Sequence, residues 1–239
     1  MIRWIGLVSL VVLAGCSAGP TGDAPVADVK NAATLRATLA SPTDIDLVWT
    51  ITDPAASGQV VEYSNEENGQ YTILAYLPPT STTFRHPDLI PQTPFYYRIR
   101  TFHGPASSTV DTALPPGASG TEPQGDEEWM RATTLPGGPV RQGSVRDPGN
   151  APTDFTATVV QTNGLAFKWT DNTSDEEGFL LEVKPDGAPD FTVATSVDVN
   201  VNSFGMIPTD DERKATYRVR PYRFGPPTNT AHQTTGGTA

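Results

Sequence analysis

The chain of 239 residues has one cysteine, Cys16. A single thiol excludes an intramolecular disulfide framework and any cysteine-based zinc site. Lysine is scarce, at four residues, and 27 acids against 16 lysines and arginines leave a formal charge of −11. That balance excludes the basic face that nucleic-acid binding needs. Charged residues are only 18% of the chain, and no window of about ten residues repeats apolar side chains at helical spacing between caps. An all-α fold is therefore excluded. What is abundant is threonine, which favours strands, and turn-formers: 21 glycines and 23 prolines.

The N-terminus reads as an address. Arg3 is followed by an apolar run from Trp4 to Ala14. That run is shorter than the about 20 residues a membrane-spanning helix requires, and it fits the core of a secretory signal peptide over 1–15. It ends in Leu13-Ala14-Gly15-Cys16, which resembles the lipobox of bacterial lipoproteins. The resemblance implies cleavage before Cys16, a lipid on that cysteine and, with Ser17 rather than aspartate next, the outer membrane. Three acyl chains exceed the two signals that stable anchoring takes. Residues 16–30, rich in Ala, Gly, Pro and Asp, read as a flexible tether.

A shift of 120 residues superimposes the chain on itself without a gap. Ile45, Leu47 and Trp49 fall on Leu165, Phe167 and Trp169; Gly58 on Gly178; Glu62 on Glu182. Tyr71 falls on Phe191, and Tyr97-Arg98-Ile99-Arg100 on Tyr217-Arg218-Val219-Arg220. Each copy is a series of short segments of period two, such as Leu35/Ala37/Leu39 and Tyr97/Ile99, punctuated by Pro42, Asn68-Gly69 and Pro91. Period two puts one set of side chains on one face of a strand, and many short strands imply a sandwich or barrel.

The two tryptophans, the run Trp169-Thr170-Asp171-Asn172-Thr173-Ser174-Asp175-Glu176-Glu177-Gly178-Phe179, and Leu89-x-Pro91-x-Thr93 leading into Phe95-Tyr96-Tyr97-Arg98 resemble the fibronectin type III repeat in its bacterial surface-protein form. The resemblance implies two tandem seven-stranded antiparallel β-sandwiches, an all-β fold of immunoglobulin-like type. It places Trp49, Trp169, Tyr97 and Tyr217 in the cores. The expected domains are 31–136 and 149–239, with 137–148 as linker. The corner tyrosine of the family falls at Phe95 and Ala215, neither of which has a hydroxyl. The last strand of the first copy is open between 107–114, after Gly104-Pro105, and 129–135. The second choice makes about 104–127 an acidic inserted loop.

Several constellations could carry function. Glu62 and Glu182 on the third strand should meet Arg98, Arg100, Arg218 and Arg220 on the sixth. They form either cross-strand ion pairs or, with Tyr96 and Tyr222, a charged and aromatic ligand surface. Tyr76, Phe102 and Phe224 are expected among the exposed aromatics. Asp171, Asp175, Glu176 and Glu177 give only fragments of a calcium loop, and Asp210-Asp211-Glu212 likewise. His86, His103 and His232 lack partners at metal-ligand or nucleophile spacing. No cofactor, metal or catalytic set is expected. The functional expectation is a lipid-anchored envelope protein with a binding, adhesion or spacer role. Its partners would be the membrane through Cys16 and an unknown protein or glycan. The second reading is a glycan-binding accessory subunit of an envelope enzyme or export complex.

Overall fold

A computed structural model describes residues 33–115, 127–135 and 143–237. The signal segment, Cys16, the tether, residues 116–126 of the acidic loop and part of the linker lie outside the described residues. The first copy supplies β1 (Thr34–Ser41), β2 (Asp44–Thr50), β3 (Gly58–Ser64), β4 (Thr72–Leu77), β5 (Thr83–His86), β6 (Pro94–His103) and β7 (Val110–Ala113). The second supplies β8 (Thr153–Val160), β9 (Gly164–Thr170), β10 (Gly178–Pro185), β11 (Thr192–Val197), β12 (Ser203–Met206), β13 (Lys214–Pro227) and β14 (Ala231–Thr234). The chain is an all-β protein of sandwich architecture.

The repeat is visible in the ladders. Glu62 opposes Arg98 in β3–β6, and Glu182 opposes Arg218 in β10–β13. The β3–β4 ladder slips between Val61 and Glu62, and the β10–β11 ladder between Leu181 and Glu182, at positions 120 residues apart. Each sandwich closes around an apolar core. One holds Ile45, Leu47, Trp49, Val61, Tyr97 and Ile99; the other holds Leu165, Phe167, Trp169, Leu181, Tyr217 and Val219. Trp49 is 2% exposed and Trp169 5%.

The interiors differ at one hydrogen bond. Trp49 Nε1 donates to Gln59 Oε1 at 2.6 Å, and Gln59 Nε2 donates to the Pro79 carbonyl at 2.6 Å. The position equivalent to Gln59 is Phe179, whose ring packs on Trp169 with centroids 5.4 Å apart. The buried Trp169 Nε1 has no acceptor among the described residues.

The last strands depart from expectation. Neither 107–114 nor 129–135 completes the first sandwich. Instead β14 pairs with β6, Ala231 opposite Tyr97, and β7 pairs with β13, Val110 opposite Tyr217. The first sandwich is β1-β2-β5 against β4-β3-β6-β14, and the second is β8-β9-β12 against β11-β10-β13-β7. Equivalently, the second sandwich is one continuous stretch inserted between the sixth and seventh strands of the first. Two crossings connect them. In one, Ser107 N donates to Val219 O at 2.8 Å; in the other, Thr228 N donates to Ile99 O at 2.9 Å. Gly104 lies at the first crossing, where a Cβ would sit 1.7 Å from the Pro221 carbonyl oxygen.

The other candidate, 129–135, forms a strap on the second sandwich. After a 3-10 turn over Glu128–Met130, Thr133 bridges Ser203 at the open edge of β12. Trp129 lies on Gly164 and Gly205, where added Cβ atoms would come within 2.3 and 2.2 Å of it.

One smaller expectation also changes. The hydroxyls missing from Phe95 and Ala215 are supplied two residues on. Tyr217 Oη donates over 3.5 Å to the Glu212 carbonyl, and Tyr97 Oη pairs with His86 Nδ1 at 3.0 Å. His232 sits in a bonded tail: just beyond it, Thr235 Oγ1 donates to Ile90 O at 2.6 Å and Gly236 N to Pro42 O at 2.8 Å.

Candidate functional site: the seam between the sandwiches

On β6, Phe95, Tyr97 and Ile99 face the first core, so Tyr96, Arg98, Arg100 and Phe102 take the other face. The same alternation on β13 turns Arg218, Arg220 and Tyr222 away from the second core. These two faces meet. Val60, Phe102, Leu180 and Tyr222 form a third buried cluster, flanked by Ile73, Tyr76, Val193 and Phe224. The two larger sheets join where His103 opposes Arg223 and Phe102 opposes Phe224. On the far side β4 and β11 approach each other. Phe102, expected outside, is 2% exposed, and Tyr222 is 9% exposed. Burial pushes the Tyr222 phenol up to about 12.

The charged residues along this face are held in ion pairs. Arg98 Nε donates to Glu62 Oε2 at 2.5 Å while its guanidinium lies 4.1 Å over the Tyr71 ring. Arg218 repeats both contacts, on Glu182 and on Phe191 at 3.9 Å. Arg220 binds both carboxylate oxygens of Glu182, Nε at 2.9 Å and Nη2 at 3.1 Å. Arg220 Nη1 also donates to the Gly104 carbonyl at the first crossing, and Arg100 Nε donates to the Gly225 carbonyl, 3.0 Å away, at the second. These arginines therefore tie each crossing to the opposite sandwich. Tyr96 stacks on His232 with centroids 4.6 Å apart.

The equivalence of the halves fails at one place on the seam. Between the Tyr76–Pro79 end of β4 and the start of β11 lies a cavity of about 330 Å3. Tyr76, Pro78, Pro79 and Phe102 line it from the first sandwich, and Lys184, Asp190, Phe191 and Arg218 from the second. Lys184 Nζ stands 5.4 Å from the Phe191 centroid, beside the Arg218 guanidinium on the same ring. In the first copy the position of Lys184 is Ser64. A second hollow of about 360 Å3, around Asp111, Asp186 and Lys214, touches Lys184 from the other side.

Most of the remaining candidates are used internally, whereas Glu176 Oε2 is buried with no hydrogen-bond partner among the described residues. Asp171 accepts from Thr173 N and Oγ1, and burial raises its pKa. Burial also works to raise Asp175, but the Val145 N–H, the Ser144 hydroxyl and Arg223 outweigh it and lower the group. Glu177 accepts from Phe224 N, and Glu212 caps Thr209 N. No three acidic or imidazole groups converge as metal ligands among the described residues. His103 Nε2 lies 2.8 Å from Asp53 Oδ2. Lys184, Phe191, Pro78 and Pro79 escaped the sequence reading as site residues. The signal available was small: Lys184 is one of four lysines and replaces a serine within the repeat.

The chain matches no protein-family model and no curated protein. Among solved structures it is similar to a two-domain fibronectin type III segment of chicken tenascin, at 14% identity and a TM-score of 0.26. That match covers 84% of this chain and 98% of the other. It is also similar to a computationally redesigned β-sandwich protein, at 20% identity and a TM-score of 0.25, over 28% of this chain and 72% of the other.

Proposed function

We propose that this is a non-enzymatic display module of a bacterial envelope, anchored by lipid on Cys16, that holds its second sandwich out to a partner. The observation that carries the reading is that β1 and β14 belong to one sandwich. Leu35 N donates to Asn229 Oδ1 at 2.8 Å, so β1 and the lead into β14 are neighbours on the first sandwich. Load applied between the flanking segments runs through that sandwich alone. The second, inserted one bears no load and is free to present its surface. A spacer in series would carry load through both halves, so this arrangement favours display over spacing. The outer membrane is the destination that the residue after Cys16 supports, by its likeness to sorted lipoproteins.

Two measurements test the proposal. Palmitate labelling in a bacterial host should mark the protein and be lost in Cys16→Ala; unlabelled wild type would refute the anchor. Crosslinking on intact cells should capture a partner. Capture should be lost when 107–222 is replaced by an unrelated sandwich with adjacent termini. Undiminished capture by that chimera would refute display by the second sandwich. The alternative, an accessory subunit that holds a glycan, is favoured by one observation, the mixed aromatic and charged cavity on the seam.

A further inference from the structure

We infer that the seam cavity is a binding site for an acidic saccharide, with Lys184 as its anion contact. The inference rests on the glycan-holding alternative and names its site and ligand class. The cavity volume, about 330 Å3, is at the lower end of small-molecule pockets and suits one or two sugar rings. Its walls have the two faces that a sugar needs. Tyr76, Pro78, Pro79 and Pro189 offer flat apolar surfaces to ring C–H groups; Ser57, Thr192 and Asp190 offer partners to hydroxyls.

Charge selects the acid. Glu182 is already spent on Arg218 and Arg220. Lys184 has a ring contact but no carboxylate in ion-pair contact among the described residues. The lining thus holds two cations, Lys184 and Arg218, and two acids, Glu182 and Asp190, and of the two cations Lys184 is the one with no carboxylate partner among the described residues. An anion entering the cavity meets this unspent cation over Phe191, beside Arg218.

The repeat supplies the second argument. The Glu–Arg–aromatic arrangement occurs in both copies, Tyr71 standing for Phe191 and Glu62 for Glu182, and its packing role accounts for it. Lys184, Pro189 and Asp190 have no such counterparts; Ser64, Gly69 and Gln70 stand there. Packing demands shared by two copies do not explain a cation and a proline wall present in one.

The experiment is calorimetric titration of residues 31–239 with tri-galacturonate, its methyl ester, neutral maltotriose and a triglutamate peptide. Tri-galacturonate should bind, and its ester and maltotriose should bind at least about tenfold more weakly, the scale of a lost charged hydrogen bond. Lys184→Ser, which installs the first copy's residue, should weaken binding by a similar factor. Thr192→Trp, which fills this cavity and leaves the neighbouring hollow open, should abolish it with an unchanged melting temperature. Lys168→Ser, on the opposite sheet, should bind as wild type. Absence of tri-galacturonate binding overturns the inference. So does equal binding of the ester, or undiminished binding by both site variants. Tighter binding of triglutamate than of tri-galacturonate assigns the cavity to acidic peptides and overturns the saccharide. None of these results bears on Cys16 or on the captured partner.

Discussion

Trp49 and Trp169 occupy equivalent places but not equivalent environments. Gln59 satisfies the Trp49 indole and two carbonyls, of Pro79 and Ser81. Gln59→Leu should therefore destabilise the first sandwich by about 1–3 kcal/mol, the cost of leaving a buried donor unpaired. Urea unfolding followed by tryptophan fluorescence reads it; a change under a few tenths would refute the role. His86 gives a pH effect. Burial lowers its pKa, and its ring packs on Tyr63 and Tyr97 with centroids 5.3 and 5.9 Å away. The fold thus takes up a proton there less readily than the unfolded chain. The contribution is full above the unfolded value of about 6.5 and is lost as pH falls below it. Melting temperature should fall between pH 7.5 and 5 more in wild type than in His86→Phe; equal falls would remove His86 from the account. At this scale the sequence was legible for the cores, because Trp, Tyr and alternating aliphatics leave one face of a strand no alternative. It misled for Phe102 and Tyr222. They share a strand face with arginines, and period two tells which side chains are grouped but not what covers them.

The strands themselves were readable from a 120-residue register, since the same alternation had to satisfy the same core twice. The partners of β7 and β14 were not. Each is a short alternating segment after Gly-Pro, and the exposed edges of β6 and β13 are near copies, so local pattern fits either. What decides is the path at the crossings, where Gly104 has no room for a side chain beside Pro221. Gly104→Val should cost about 3 kcal/mol or more, among the largest single-site effects. It should lower the unfolding midpoint seen by both Trp49 and Trp169, whereas a local defect would move one. The strap stood as one of two candidates for a last strand because Trp129 needs cover. It finds that cover by lying on Gly164 and Gly205, where the first copy has Asp44 and Arg85. Trp129→Ala should release the strap, and proteolysis within 127–135 should then quicken without loss of the core.

For the whole molecule, the exchange joins the two sandwiches into one compact unit, 31–239. Sequence boundaries such as 31–136 and 149–239 cut both exchanged strands from their acceptors. Those fragments should show poor NMR dispersion in isolation. A continuous piece over 105–223 retains β7 through most of β13 and should fold, exposing half of the Val60–Phe102–Leu180–Tyr222 cluster. A folded 149–239 fragment would refute the exchange. Since β14 alone completes the sandwich that β1 opens, the nascent polypeptide cannot finish its first-made half until almost the last codons of that strand are read. With this wiring the first sandwich keeps β6 without its outer neighbour until 231–234 arrive, so its older strands wait on its youngest.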